Sequence, residues 1–124
     1  MLFGLLSVSA SAETGDFIQV EAANYSAASA NISISRSGIA TVNGIAIGKH
    51  GITTQVSMHL YLQKYKNGSW TTVRDWTGSK DGTSYSFTKN TAVSKGKYRT
   101  NAVIKVYAEK RCEKVKKYSG NKLY

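Results

Sequence analysis

Apolar and polar residues alternate with a period of two along most of the chain. Ile32 and Ile34 alternate with serines, and residues 39–47 continue the pattern after a short polar turn. A period of two places successive side chains on opposite faces of a β-strand. We interpret residues 39–47 as one long strand with a bulge at Asn43 and Gly44, because a hairpin there would leave two very short arms.

The next segment has the clearest alternation in the chain. Its apolar positions fall on one face of a strand, and its polar and aromatic positions fall on the other. The apolar set is Val56, Met58, Leu60 and Leu62, and the opposite set is Ser57, His59, Tyr61 and Gln63. This pattern predicts a third strand with one face in the core and one face in solvent.

Turn signals and further alternation continue to the C-terminal end. Asn67 and Gly68 predict a tight hairpin turn. The strands predicted after it run through residues 73–76, around Tyr85 and Phe87, over residues 98–108 and over residues 111–118. No window of a dozen residues shows a helical stripe. The sequence therefore predicts an all-β, antiparallel immunoglobulin-like β-sandwich of about seven strands.

The length of 124 residues fits a single domain. Residues 1–12 are apolar and end in Ala-Ser-Ala, which indicates a signal-peptide-like segment, although no basic residue opens it and the true start can lie elsewhere. A first strand or a disordered tail is the alternative. We divide the rest into a lead-in segment, 13–30, and one sandwich domain, 31–124, with a basic C-terminal strand. A secreted or extracellular protein, released or held at the cell surface, and without a transmembrane segment, is expected.

Charge is unevenly distributed along the chain. The 17 basic and 7 acidic residues give a net charge of +10, and residues 49–124 hold 16 of the basic and four of the acidic residues. A positive field of this size favours anionic partners.

The sequence offers no arrangement of groups that predicts catalysis. His50 and His59 lie nine residues apart without an obvious third metal ligand, and no nucleophile lies beside a base in a recognisable motif. We therefore expect a non-catalytic protein with no metal and no cofactor. Cys112 is the single cysteine, so it cannot form an intramolecular disulfide. It is interpreted as a half-buried small hydrophobe, with an intermolecular disulfide or a reactive thiol as the alternative.

A candidate binding face follows from the predicted fold. The third and penultimate strands are neighbours in one sheet of an immunoglobulin-like sandwich, so their outward residues lie side by side. The candidate residues are His59, Tyr61, Gln63, Arg99, Lys105 and Tyr107. Such a face can stack sugar rings on tyrosine and attract anionic polymers. Alternatively, the tyrosines only favour strand pairing.

A second basic feature lies near the C-terminal end. It comprises Lys110, Arg111, Lys114, Lys116, Lys117 and Lys122. These residues suit phosphates of nucleic acid, teichoic-type polymers or anionic lipid. No aromatic residue that could stack on a base lies among them, so specific nucleic-acid recognition is not indicated. Lysines on an edge strand also prevent aggregation, which needs no ligand.

Two segments carry a resemblance to a known group of proteins. They are residues 60–76, LYLQKYKNGSWTTVRDW, and residues 96–99, GKYR. The chain resembles small exported sandwich domains of Gram-positive bacteria over roughly residues 31–118, an uncharacterised family. This resemblance implies an immunoglobulin-like or fibronectin-type fold without an assigned activity. Tyr98 lies where the tyrosine corner of such folds falls.

These features together favour a secreted binding or adhesion module that contacts cell-envelope polymers, glycans or a protein partner. The alternative is a secreted cationic antimicrobial or toxin-like protein that acts on anionic envelopes. The oligomeric state is open.

Overall fold

A computed structural model of the protein describes residues 25–124 and shows eight β-strands and no helix in that range. The strands are β1 Tyr25–Ile34, β2 Ile39–Gly48, β3 Gln55–Lys66, β4 Ser69–Asp81, β5 Ser84–Ala92, β6 Lys97–Ala108, β7 Arg111–Tyr118 and β8 Lys122–Leu123. The predicted signal-like segment, 1–12, and residues 13–24 of the lead-in lie outside the described residues.

The strands form two antiparallel sheets that pack face to face. The smaller sheet has the order β1-β2-β5, and the larger has the order β4-β3-β6-β7, with the short β8 paired to β6 beyond the end of β7. The chain crosses between the sheets after β2, after β4 and after β5. This is an immunoglobulin-like β-sandwich, as predicted, with one short strand more than the seven expected.

The first strand is longer than the sequence indicates. Tyr25 to Ala30 belong to β1 and pair with β2, although the sequence places them in a lead-in segment. Ala28 and Ala30 are half-buried and alternate with the exposed Ser29. Alanine and serine differ little in hydropathy and are not typical of strands. The alternation is therefore real in the structure but weak in the sequence.

β2 is one continuous strand, and the predicted bulge at Asn43 and Gly44 is wrong. Both residues stay in step with their partners on β1 and on β5. Position 44 requires glycine because side chains of the opposite sheet pack directly against it. A Cβ there would overlap Sδ of Met58 and lie 2.9 Å from Cδ2 of Leu60. Gly44 therefore lets the two sheets approach closely at the centre of the core.

The core lies between the sheets and consists of the inward rows of β2, β3 and β6. Its buried residues are Ala40, Val42, Ala46, Val56, Met58, Leu60, Leu62, Tyr98, Ala102, Ile104 and Val106. The predicted apolar face of β3 is thus confirmed. Trp76, Tyr85 and Phe87 are half-buried and pack against this core from the side where β4 and β5 face each other.

The β3–β4 hairpin turns at Asn67 and Gly68, as predicted. Their φ angles are 51° and 84°, both in the left-handed region that asparagine and glycine tolerate best. The ladder between the two strands shifts register between Leu62 and Gln63, which marks a bulge. This shift decides which β4 residues oppose the polar face of β3.

Candidate functional site

The surface of the larger sheet that points away from the core is here called the outer face. Residues that are directly paired in antiparallel strands project from the same side of a sheet, so the register gives its rows in the strand order β4, β3, β6, β7. Successive rows are Asp75, Tyr61, Asn101 and Tyr118; then Thr77, His59, Val103 and Lys116; then Ser79, Ser57, Lys105 and Lys114; then Asp81, Gln55, Tyr107 and Cys112.

All six residues predicted for the sheet face lie on the outer face, but they do not form one cluster. Gln63 and Arg99 are directly paired, and Nε of Arg99 donates to Oε1 of Gln63 over 2.7 Å. Lys105 is paired with Ser57, one row from His59. Tyr107 lies in the row beyond Lys105, at the far end of the face from Arg99.

His59 and Tyr61 interact mainly with each other and with β4. Their rings stack with centroids 4.0 Å apart, and the Tyr61 hydroxyl lies 3.0 Å from Nδ1 of His59. Nε2 of His59 lies 2.6 Å from Oδ2 of Asp75. One side of the Tyr61 ring is therefore occupied by its neighbour, so less of the ring is available to a sugar than the sequence suggests. Asp75 reaches His59 because of the register shift in the β3–β4 hairpin.

A stack of cations and aromatic rings occupies the end of the outer face near that hairpin turn. The guanidinium carbon of Arg99 lies 4.4 Å from the ring centroid of Trp70 and 4.2 Å from that of Tyr118. Lys97 lies over the ring of Tyr65 at 4.8 Å, and Tyr65 packs edge-on against Trp70 at 5.2 Å. Arginine favours such stacking because its guanidinium is planar and weakly hydrated. We call these five residues the aromatic–cation cluster.

Four of the five cluster residues were missed by sequence reasoning. Trp70 and Tyr65 oppose each other across the hairpin, and that pairing could have been read from the turn signal. Tyr118 lies at the end of β7, where it is paired with Asn101. Its approach to Arg99 depends on the diagonal between two rows, which no pattern along the chain reveals.

A groove of about 490 Å³ occupies the other half of the outer face. Small hydroxyl residues form its floor, the stacked rings of His59 and Tyr61 lie at one end, and two lysines lie on the far side. The lining side chains on the outer face are Ser57, His59, Tyr61, Thr77, Ser79, Val103, Lys105 and Lys114. The groove is open to solvent.

The C-terminal cations that the sequence groups together are divided by the alternation of β7. Lys114 and Lys116 project from the outer face, beside Lys105 and Val103. Arg111 and Lys117 are paired with inward positions of β6 and therefore lie on the opposite side of β7. Lys110 lies in the turn before β7, and Lys122 lies in β8. Only two of the six cations thus join the candidate face.

Cys112 lies at the end of the outer face but is shielded there. It is 4% exposed and is directly paired with Tyr107. Burial raises the pKa of the Cys112 thiol above its ordinary value, while a hydrogen bond with Tyr107 and the charges of Lys105 and Lys114 oppose that rise. A shielded, protonated thiol behaves as a small apolar group, in agreement with the interpretation made from the sequence.

Tyr98 is buried at the start of β6. It is 2% exposed, and its hydroxyl donates to the carbonyl oxygen of Ser94 over 2.9 Å. This is the bond that a tyrosine corner makes to the backbone a few residues upstream. It fixes the loop between β5 and β6 and so the start of the strand that carries Arg99 and Lys105.

The exposed face of the smaller sheet differs from the outer face in carrying no charged residue among the described positions. Its residues are Ala27, Ser29, Asn31, Ser33, Ile39, Thr41, Asn43, Ile45, Ile47, Ser84, Ser86, Thr88, Asn90 and Ala92. Asn43 lies at its centre: its amide nitrogen donates to Oγ1 of Thr88 over 2.9 Å, and its amide oxygen accepts from Asn31 over 2.8 Å.

The outer face, in contrast, carries Lys97, Arg99, Lys105, Lys114 and Lys116 against two carboxylates, Asp75 and Asp81. Over the described residues, the sandwich therefore has one cationic and one uncharged face.

Over residues 25–124, no three histidine, cysteine or carboxylate side chains come together as metal ligands. The same residues include no helix long and apolar enough to cross a membrane.

Comparisons with known proteins gave likenesses of structure but none of sequence. No family model matches the chain, and no curated protein matches its sequence. Among solved structures, the chain is similar to the CARDB domain of a Pyrococcus furiosus protein, which was solved in complex with di-metal ions. The two are 17% identical, the match covers 83% of this chain and 93% of that one, and the TM-score is 0.39. Membership of the Gram-positive family stays a prediction.

Proposed function

We propose that this protein is an exported, non-catalytic binding module that holds anionic polymers of a cell envelope against its outer face. The observation that carries the proposal is the division of charge between the two faces of the sandwich. Five cations project from the outer face, and the exposed face of the smaller sheet has none among its described residues. Concentrated charge of one sign raises the local concentration of a polyanion and orients it toward that face.

The aromatic side chains support this function mainly by fixing the cations. Arg99 lies between Trp70 and Tyr118, so its charge is held in one position on the sheet. Tyr65 and Tyr118 are 42% and 49% exposed, which leaves ring surface that a sugar of the polymer can cover. The cations therefore attract the anionic polymer, and the partly exposed rings beside them add contact area.

Sedimentation with purified Gram-positive cell walls tests the proposal. The full chain is compared with two variants of equal net charge. The face variant carries Lys105→Gln, Lys114→Gln and Lys116→Gln. The control variant carries Arg36→Gln, Lys66→Gln and Lys89→Gln, which are exposed residues that do not project from the outer face.

Near 0.15 M salt the Debye length is about 8 Å, so only charges close to the bound polymer attract it strongly. We therefore expect the face variant to lose most of its wall binding, while the control variant binds like the natural chain. Equal loss in both variants would show that net charge alone causes binding, and no loss in either would place the contact elsewhere. Both of these results would overturn the proposal.

A further inference from the structure

We propose that the groove on the outer face is a binding site for a phosphate group, with Lys105 and Lys114 as its cationic ligands. This inference rests on the proposed function and specifies the polymer: one whose charge is carried by phosphate esters. Its basis is the combination, in the groove, of two paired lysines with a row of small hydroxyl side chains.

Lys105 and Lys114 are direct cross-strand partners on the outer face. Side chains in such positions have Cβ atoms about 4.5–5.5 Å apart, and like charges placed there repel each other. Both side chains are exposed, so packing in the core does not require a lysine at either position. A ligand with negative charge between the two ammonium groups turns this repulsion into attraction.

Neighbouring carboxylates are directed away from this pair. Glu113 precedes Lys114 but is paired with the inward Val106, so it faces the interior of the sandwich. Asp75 lies two rows away and contacts His59. Asp81 is at the end of β4, in the adjacent row and on the opposite edge of the sheet. Positive charge is therefore concentrated at the side of the groove that β6 and β7 form.

The other two residues in the row of Lys105 and Lys114 carry hydroxyl groups. Ser57 is directly paired with Lys105 on one side and with Ser79 on the other, and Thr77 lies in the next row of β4. These small side chains leave the groove open, and each hydroxyl can donate one hydrogen bond to an oxyanion. A ligand in the groove thus meets ammonium groups from one side and hydroxyl groups from the other.

This donor set suits a phosphate better than a carboxylate. The oxygens of a phosphate ester point in several directions, and lysine ammonium groups act on them as point charges with three rotatable donors. A carboxylate is planar and is best matched by the fork of arginine, which the groove lacks. We therefore infer a preference for phosphate esters over carboxylates at equal charge.

Competition between two polymers of similar length and charge density tests this inference. The probes are poly(glycerol phosphate) and polygalacturonate, and binding to the full chain is measured by calorimetry at fixed ionic strength. The groove variant carries Lys105→Gln and Lys114→Gln. Its matched control carries Lys97→Gln and Lys116→Gln, which removes the same charge from the same face outside the groove.

The natural chain and the matched control are expected to prefer poly(glycerol phosphate). The groove variant should bind that polymer about tenfold more weakly than the natural chain, because two exposed ion pairs are lost, and should show no preference. A groove variant that keeps the preference would overturn the phosphate site while leaving the proposed function intact. If the natural chain binds neither polymer, the phosphate site and the proposed function both fail.

Discussion

Replacement of Arg99 by lysine separates the shape of the guanidinium from its charge. The structure places the guanidinium between Trp70 and Tyr118 and gives it a hydrogen bond to Gln63. Cation–π contacts at such exposed positions are worth about 0.5–1 kcal/mol each, and the hydrogen bond contributes about 0.5–1.5 kcal/mol. A lysine can lie over one of the rings but cannot contact both and reach Gln63. We therefore expect Arg99→Lys to reduce the free energy of unfolding by about 1–2 kcal/mol.

Urea unfolding followed by circular dichroism measures this loss. Lys116→Arg is the control, because it exchanges the same two residue types on the same face outside the aromatic–cation cluster, and its effect should stay within about 0.5 kcal/mol. A double-mutant cycle of Arg99→Lys with Trp70→Leu should show coupling, since both changes remove the same contact. If Arg99→Lys costs less than about 0.5 kcal/mol, the cluster does not fix the position of Arg99.

Three further changes test other parts of the structure. Tyr98→Phe should lower the free energy of unfolding by about 1–3 kcal/mol, measured by urea unfolding, because the carbonyl of Ser94 loses its partner; an unchanged midpoint would contradict the role of this bond. Gly44→Ala should cost about 1–3 kcal/mol in the same assay, since the added Cβ overlaps Met58; a gain in stability would show that the sheets can separate without cost. Alkylation of Cys112 at pH 8 should be at least about tenfold slower in the folded chain than in urea. Burial in the folded chain raises the pKa of this thiol. The stability that this shift contributes is fully present below the unfolded-state pKa and is lost as the pH rises through the folded-state pKa. Equal alkylation rates in the folded chain and in urea would disprove the shielding.

The fold was predictable where residues of contrasting hydropathy alternate. Leu60 and Leu62 project to the core and His59 and Tyr61 to the outer face, as the period of two requires. The first six residues of β1 were missed because they are mostly alanine and serine, which alternate too weakly. The local pattern thus predicts a strand only where burial selects strongly apolar side chains.

The candidate site was predictable in its location but not in its contacts. Neighbouring strands and outward positions follow from the fold type, and they place Arg99 beside Gln63 correctly. The approach of Trp70 and Tyr118 to Arg99 depends on sheet twist and on a bulge, which are set by packing across the whole sandwich.

The basic C-terminal segment shows the same limit, since charge along the chain does not report the face on which each lysine lies. Lys116 projects from the outer face, and Lys117, the next residue, does not.

Mapping the contact surface by NMR shows whether the polymer binds to the outer face. Poly(glycerol phosphate) is titrated into the full, isotope-labelled chain at 0.15 M salt, and changes in amide chemical shift are followed residue by residue. We expect the changes to concentrate on the outer face, at positions such as Ser57, Lys105 and Lys114, and to leave Asn43 and Thr88 of the smaller sheet unchanged. Changes of equal size on both faces, or changes confined to the smaller sheet, would show that the outer face is not the binding surface.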